Sequence, residues 1–271
     1  KHFTKDSFAS MDRIERIQFI NSLSGFKSAN LIGTVDAEGN GNVAVFSSVI
    51  HLGSDPAMMG FMMRPPSVER HTYENILETG AYTINQVHAD IVENAHYTAV
   101  NFERSESEFK ACGLSPQFLP DFKAPYVKEC RLKLGMSLVE DIPIEANGTR
   151  LIVGAVEHVY LERVPLRDDH SVDLQALDTV CISGLDHYHR VAEGKRFPYP
   201  RKEELPAFVV SQKRPDSVVY DEKNGGYNAS LLPYASSVGG PAFKANDLTV
   251  WKNNSVGKVS AHFKTRFEEI K

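Results

Sequence analysis

One stretch, Asn42 to Asn85, constrains this chain more than any other. It reads NVAVFSSVI, then DPAMMGFMMRPPS, then VERHTYENILETGAYTIN: two strands, a helix and a further strand in quick succession. The run from Val68 to Thr79 predicts the helix, with Ser67 as its N-cap and Pro65-Pro66 barring helix upstream. Gly80 suits the left-handed turn that closes a helix, and Ala81-Tyr82-Thr83-Ile84 follows as an apolar strand. A helix start carries unpaired N–H groups and the positive end of the macrodipole. Arg70, His71 and Thr72 lie beside that end, with Arg64 just upstream. Guanidinium, hydroxyl and backbone donors therefore converge where a phosphate would be received.

The predicted strand Asn42–Ile50 supplies the other half of a site. Val43, Val45 and Val49 alternate with Ala44, Phe46 and Ser48, which sets one face for a core and leaves the other more open. Ser47-Ser48 at the strand's end offers small side chains and accessible main chain. A flat heterocycle needs that room, with backbone N–H and C=O groups reading its edge. Taken singly, a cationic helix start also fits an ordinary solvated helix, and a serine-ended strand fits an ordinary half-buried one. Together, in this order, they point to a phosphorylated planar ligand.

The order of motifs resembles the flavin reductase-like family. It runs from a strand ending F-S-S-V through an S-D-P turn to a strand ending R-P. The helix R-H-T-x-x-N-I-x-x-T-G and the strand A-Y-T-I-N follow. Gln86-Val87-His88, an acidic helix over Ala89–Val100 and the segment Ser105–Gly113 continue the pattern. The resemblance implies a mainly β fold with peripheral helices, an FMN-binding split β-barrel, over residues 1–193, with 194–271 as a C-terminal extension. It implies FMN held without covalent attachment. Phe46, Ser47, Ser48 and Val49 would run along the flavin ring, and Arg70, His71 and Thr72 would hold the phosphate. Arg64 would be a second phosphate or ribityl contact, and Asn85 and His88 would lie near the ribityl or phosphate region.

The resemblance also implies hydride transfer from NADH or NADPH to flavin by a homodimer with FMN near the subunit interface. The flavin carries such chemistry, so no catalytic side chain is expected, and no nucleophile elbow or triad is visible. No Rossmann glycine fingerprint follows a strand, so a nicotinamide nucleotide would bind another way. Three other readings stay open: an FMN-holding electron carrier without NAD(P)H turnover, an oxidase like the pyridoxamine phosphate oxidases, and an interaction barrel without flavin. The oxidase reading calls for a second cationic site as marked as Arg64–His71, and the sequence shows none.

Composition fits a globular protein. The chain has 271 residues, 42% hydrophobic and 24% charged, enough for one substantial core. A net charge of −5 and the absence of a basic stripe argue against nucleic acid as a partner. No apolar run is long enough to span a bilayer, and the first residues show no apolar signal segment. Three scattered cysteines with no CxxC fit a reducing compartment, so the expected location is the cytoplasm. His187-Tyr188-His189 would place two imidazoles on one strand face, but a third metal ligand is missing; no metal is expected, and His187 or His189 near the nicotinamide is the other option.

Elsewhere, Met11–Leu23 predicts an amphipathic helix ended by Gly25. Ala29–Val35 and Asn42–Ile50 predict a hairpin. Tyr126–Val139 and Thr149–Tyr160 read as long strands around a proline-containing loop, Glu140–Gly148. Asp173–Leu177 reads as a short helix before a strand at Thr179–Ser183. The irregular alternation favours a barrel over a doubly wound sheet. Lys195–Pro206 reads as a linker, and the tail beyond it, with the single Trp251, as a surface extension, clasping arm or partial lid.

Overall fold

The computed structural model describes residues 1–162, 166–192, 194–197, 199–201, 220–221 and 226–227. They fall into two units, Lys1–Lys195 and Arg196–Lys271. In the second, Tyr220–Asp221 pairs with Gly226–Tyr227; Trp251 and the arm or lid expected around it lie outside the described residues.

In the first unit the chain begins with α1 (Lys5–Ser10) and α2 (Arg13–Ser22), then β1 (Lys27–Ser28), β2 (Asn30–Val35), β3 (Gly41–Phe46), β4 (Ile50–Ser54) and β5 (Ala57–Met63). Helix α3 (His71–Thr79) leads into β6 (Ala81–Gln86), and a 3-10 turn (Ala89–Ile91) leads into α4 (Val92–Tyr97). Then come α5 (Glu108–Ala111), β7 (Pro116–Gln117), β8 (Tyr126–Val127), β9 (Leu132–Ile144), β10 (Thr149–Leu161), β11 (Val180–Ser183) and β12 (His187–Arg190). Seven strands form one antiparallel sheet in the order β3-β2-β6-β9-β10-β5-β4. This is the mainly β split barrel with peripheral helices that the motif order implied.

Strand β2 shows why two cores form. All six of its residues are buried, and consecutive side chains point to opposite faces. Ile32 joins Phe61, Tyr82, Ile84, Met136 and Ile152 in one cluster. Leu31 joins Val43, Val87, Ile91, Ala95 and Phe109 in the other, under the helices that follow β6. Gly33 is confined to glycine because a side chain there would strike the Pro125 carbonyl and the Thr83 hydroxyl.

Several local expectations are corrected. The strand expected over Asn42–Ile50 ends at Phe46, and a new one starts at Ile50. The two lie at opposite ends of the strand order, so Ser47-Ser48-Val49 is the connection that crosses the split. The Ser48 hydroxyl fastens it, accepting from the Met62 N–H at 3.1 Å and donating to the Met62 carbonyl at 3.2 Å. Val49 consequently packs with Phe46 against the barrel cluster, whereas Val45 packs on the other.

The α3 helix starts at His71, not Val68. Arg70 is its N-cap, and Ser67 sits in the preceding turn. Gly80 does close the helix, at φ 69°. The acidic helix after β6 is shorter than expected, a 3-10 turn followed by α4. The loop expected from Glu140 shrinks because β9 runs on to Ile144, with Pro143 opposite Arg150. Pairing of β9 with β6 ends at Ser137, so Pro143 lies where β9 has a partner on one side only and proline is tolerated. Asp173–Leu177 forms turns, with Asp173 Oδ1 accepting from Gln175 and Ala176 N–H, and no helix. The first expected helix forms as α2, but its Ile14 and Ile20 and its C-cap Leu23 are exposed.

Candidate functional site at the start of α3

Arg70 caps α3 through its backbone alone: its carbonyl accepts from Tyr73 and Glu74 N–H, and Glu74 Oε1 accepts from the Arg70 N–H at 3.2 Å. Its side chain makes no capping bond. The N–H groups of His71 and Thr72 precede the first intrahelical bonds and keep the open character of a helix start. Beside them the Arg70 Nε is buried with no hydrogen-bond partner. Arg64, exposed just upstream, also has no partner among the described residues. An orphaned buried guanidinium nitrogen is costly to leave unpaired, and here it lies at the anion-favouring end of a helix. The neighbouring His71 and Arg104 have partners. His71 Nε2 is 3.5 Å from Glu69 Oε1, and Arg104 pairs with Glu74 at 2.7 Å.

Near the helix start lies a small polar cleft, partly open to solvent, lined by Asp36, Asn42, His71, Arg104 and Glu108 among others. Thr72 and Asn75, three residues apart and so on one helix face, turn inward with Ile76. Asn75 Nδ2 donates to Thr34 Oγ1 at 3.2 Å, and Arg104 donates to Asn75 Oδ1 at 3.3 Å. Asn42, the second residue of β3, lies 3.0 Å from Thr72 Oγ1 and 3.3 Å from Thr34 Oγ1. Burial pushes the Glu108 carboxyl above its ordinary value, against the pull of backbone N–H groups and of His71. For Asp36 burial also works against the charge, but bonds from Asn40 and the nearby Arg104 win and hold its carboxyl below the usual value. On the far side, Tyr73 donates to Asp141 at 2.7 Å, and Arg150 pairs with the same carboxylate at 2.6 Å, tying the helix to the β9–β10 hairpin.

The ten residues expected at a site divide into three places. Arg70, His71 and Thr72 lie at the α3 start, though the Thr72 hydroxyl is buried against Asn42, and Arg64 is exposed directly after β5. Phe46, Ser47, Ser48 and Val49 lie at the other end of β3. There Phe46 meets Phe61 edge-on at 5.0 Å, the Ser47 hydroxyl is without a partner among the described residues, and the Ser48 hydroxyl is spent on Met62. Asn85 and His88 form the third place, level with Phe46 through the Phe46–Asn30–Gln86 register. Asn85 is fully buried, donating to the Leu31 carbonyl and the Thr83 hydroxyl and accepting from the Val127 N–H. His88 Nε2 lies 3.0 Å from the Glu129 carbonyl, while Nδ1 accepts from the Asp90 N–H. His187 and His189 sit apart on β12, His187 paired with Asp186 and His189 with Ser183.

Sequence reading passed over Asn42, Asn75, Arg104 and Glu108. Asn75 was detectable, as a polar residue three positions after Thr72 on an inward helix face. Arg104 and Glu108 reach the cleft only through the fold.

Residues 23–171, more than half of the chain, match the model of the flavin reductase-like domain. The chain belongs to the flavin reductase-like family. It resembles the crystal structure of a split-barrel protein from Shewanella frigidimarina NCIMB 400, attributed to the flavin reductases. That likeness has 50% identity and a TM-score of 0.71, covering 74% of this chain and 100% of that one. The fold is also that of the flavoredoxin of Desulfovibrio vulgaris (Miyazaki F), at 24% identity and a TM-score of 0.58, over 65% of this chain and 92% of that one. An uncharacterized Aquifex aeolicus (strain VF5) protein is 26% identical over 42% of this chain, and the match spans 59% of that protein's length. Among the described residues, no helix is long and apolar enough to cross a membrane.

Proposed function

We propose that the chain binds FMN with its phosphate at the start of α3 and its ring beside the Phe46–Val49 connection, and that it passes hydride from NADH or NADPH to that flavin. One observation carries the reading: the unpaired Arg70 Nε, buried at the positive end of a helix, in a chain whose family is flavin reductase-like. The donor set fits the group. Arg70 and the N–H groups of His71 and Thr72 are hydrogen-bond donors at one helix start, and Arg64 a further donor upstream, the donor types a phosphate requires. Strand β3 joins that place to a connection whose Ser47 hydroxyl has no partner among the described residues and whose main chain suits a ring edge.

When bound, FMN supplies the hydride-accepting and electron-delivering chemistry. The chain's own work is to hold and orient. Phe46, packed on Phe61, gives the ring end a rigid wall, and Ser48 fixes the connection to β5. Backbone N–H groups near Ser47 would stabilise negative charge developing on a ring edge. A second copy of the chain would complete the site. Exposed apolar residues on the edge strand β4 (Ile50, Leu52) and on the outer part of β9 (Val139, Ile142) support a homodimer, to be checked by elution at twice the 30.2 kDa chain mass.

The test is an absorption spectrum after FMN addition and desalting, followed by anaerobic NADH or NADPH. Retained flavin bands that bleach on nucleotide addition are expected. Retained bands without bleaching would favour the electron carrier, a reading with which the flavoredoxin-like fold agrees. A colourless protein would overturn both.

A further inference from the structure

Two carboxylates stand where an anion site can least use them. Glu69 directly precedes Arg70, and Glu74 belongs to the first turn of α3. Glu74 Oε1 accepts from the Arg70 N–H at 3.2 Å, so its charge lies against the backbone of the N-cap itself. Glu69 Oε1 is 3.5 Å from His71 Nε2. Carboxylates at a helix start favour the helix, yet both of these repel a phosphate received at the same place. One cation answers the two of them. Arg104 Nη1 lies 2.7 Å from Glu74 Oε2 and 4.0 Å from Glu69 Oε1, and its Nη2 donates to Asn75 Oδ1 at 3.3 Å. Asn75 presents that oxygen because its Nδ2 donates to Thr34 Oγ1 at 3.2 Å. The guanidinium fork therefore spans neighbouring residues of α3 from outside the helix. Its carrier is the turn Glu103–Glu106, which is closed twice. The Glu106 N–H donates to the Glu103 carbonyl at 2.9 Å, and the Glu103 N–H donates to Glu106 Oε2 at 3.0 Å. Phe102 anchors the turn on the cluster under the helices, and Ser107 caps α5 on its other side. A half-exposed ion pair of this kind adds little to stability, whereas its charges act on any anion within a Debye length.

We propose that Arg104 is a positioning residue of the phosphate site: it neutralises Glu69 and Glu74, and so lets the start of α3 receive the FMN phosphate, without touching that phosphate. The inference rests on the reading of the α3 start as the FMN phosphate site. Arg104 and Glu74 act on the dianion with opposite signs from adjoining positions, so their effects nearly cancel. Loss of the guanidinium leaves the carboxylates uncompensated beside the guest, and loss of the Glu74 charge leaves a cation in excess. Arg104 also holds Glu74 so that one oxygen faces outward to the guanidinium while the other stays on the Arg70 N–H. Riboflavin, which has no phosphate, is indifferent to both charges. Salt weakens the effect, because the pair is partly solvated.

The experiment measures dissociation constants of FMN and riboflavin by quenching of flavin fluorescence, at about pH 7.5 where the phosphate is mostly dianionic. Salt is set at about 0.01 M and about 1 M, where the Debye length falls from about 30 Å to about 3 Å. Wild type, Arg104→Ala, Arg104→Lys, Glu74→Gln and the double variant R104A/E74Q are compared, with riboflavin binding reporting an intact ring site. In low salt R104A is expected to lose about tenfold of the preference for FMN over riboflavin, the effect of a unit charge on a nearby dianion through partly solvated surroundings. The ratio of wild type to R104A shrinks toward one in high salt. R104K is expected to keep most of the preference, since lysine supplies the charge without the fork. Glu74→Gln keeps an acceptor for the Arg70 N–H and removes the charge. It is expected to raise the preference, and R104A/E74Q to return within about twofold of wild type. An unchanged preference in R104A, or an equal loss of FMN and riboflavin, would overturn the inference. A loss that persists undiminished in R104A/E74Q would mean that Arg104 touches the phosphate, and would overturn it too. A wild type without preference for FMN in either salt would overturn the phosphate-site reading beneath it. Should R104A fail to fold, E74Q alone decides: a raised preference in low salt is expected, and no rise overturns the inference.

Discussion

The start of α3 and the end of β6 carry similar polar residues and teach opposite lessons. At α3, Arg70 keeps a buried nitrogen unpaired, Arg64 has no partner among the described residues, and two backbone N–H groups precede the helix ladder. At the end of β6, Asn85 uses both ends of its amide on Leu31, Thr83 and Val127, and His88 uses both ring nitrogens on Glu129 and Asp90. Family motifs mark both places. Only the first has donors left over for a guest; the second has invested its polarity in joining β6 to its neighbours. What separates the two places is unspent hydrogen-bonding capacity, which residue type does not reveal.

That contrast can be broken by mutation, and the largest effect is expected at the spent end. Asn85→Leu strands the Val127 N–H, the Leu31 carbonyl and the Thr83 hydroxyl without their amide partner, and should cost about 3 kcal/mol of stability. Chemical denaturation measures the loss, while the FMN-to-riboflavin preference of the folded fraction stays as in wild type. A lost preference with unchanged stability would reverse the assignment of the two ends. Next comes Arg70→Ala combined with His71→Ala, expected to weaken FMN binding roughly a hundredfold through lost charge-assisted bonds while riboflavin binding barely changes. Equal weakening of both ligands would remove the phosphate from this site.

Smaller effects sharpen the picture between those two ends. Ser48→Ala removes both bonds to Met62 and should cost about 1–2 kcal/mol, seen as a lower midpoint in urea. An unchanged midpoint would mean the connection across the split is held by Val49 packing alone. Glu108→Gln should be the mildest. The folded carboxyl titrates above its unfolded value, so Glu108 favours the fold when protonated and loses that contribution as pH rises. Melting of E108Q should therefore exceed wild type near pH 8, and the gap should close near pH 4, where both side chains are neutral. A gap that widens in acid would contradict the sign.

Much of the fold was legible because it is written locally. Gly80 marks the end of α3, and the apolar run Ala81–Ile84 marks β6, by rules that need no tertiary context. The start of α3 was misread for a related reason. Ser67 is a better capping residue than Arg70, but the chain turns at Pro66, Ser67 and Val68 and enters the helix two residues later, at a position whose side chain does not cap at all. Ser48 illustrates the other limit: a small hydroxyl at a strand end reads as open, yet the crossing from β3 to β4 sets it against Met62 of β5. The convergence of Asn42, Thr72, Asn75 and Glu108 joins β3, α3 and α5, so it becomes visible only once the hairpin and both helices are in place. The apolar side of α2 shows the same dependence from the opposite direction, since its periodicity is sound but its Ile14 and Ile20 stay exposed in the single chain.

The most direct test of the central claim is a phosphorus NMR spectrum of FMN at saturating protein, for wild type and for Arg70→Ala, with flavin absorbance confirming that the ring is bound in both. A resonance displaced from free FMN in wild type that returns toward the free position in R70A is the expected result. A phosphorus signal unmoved by the wild-type protein, or equally displaced in R70A, would contradict the placement of the phosphate at the start of α3.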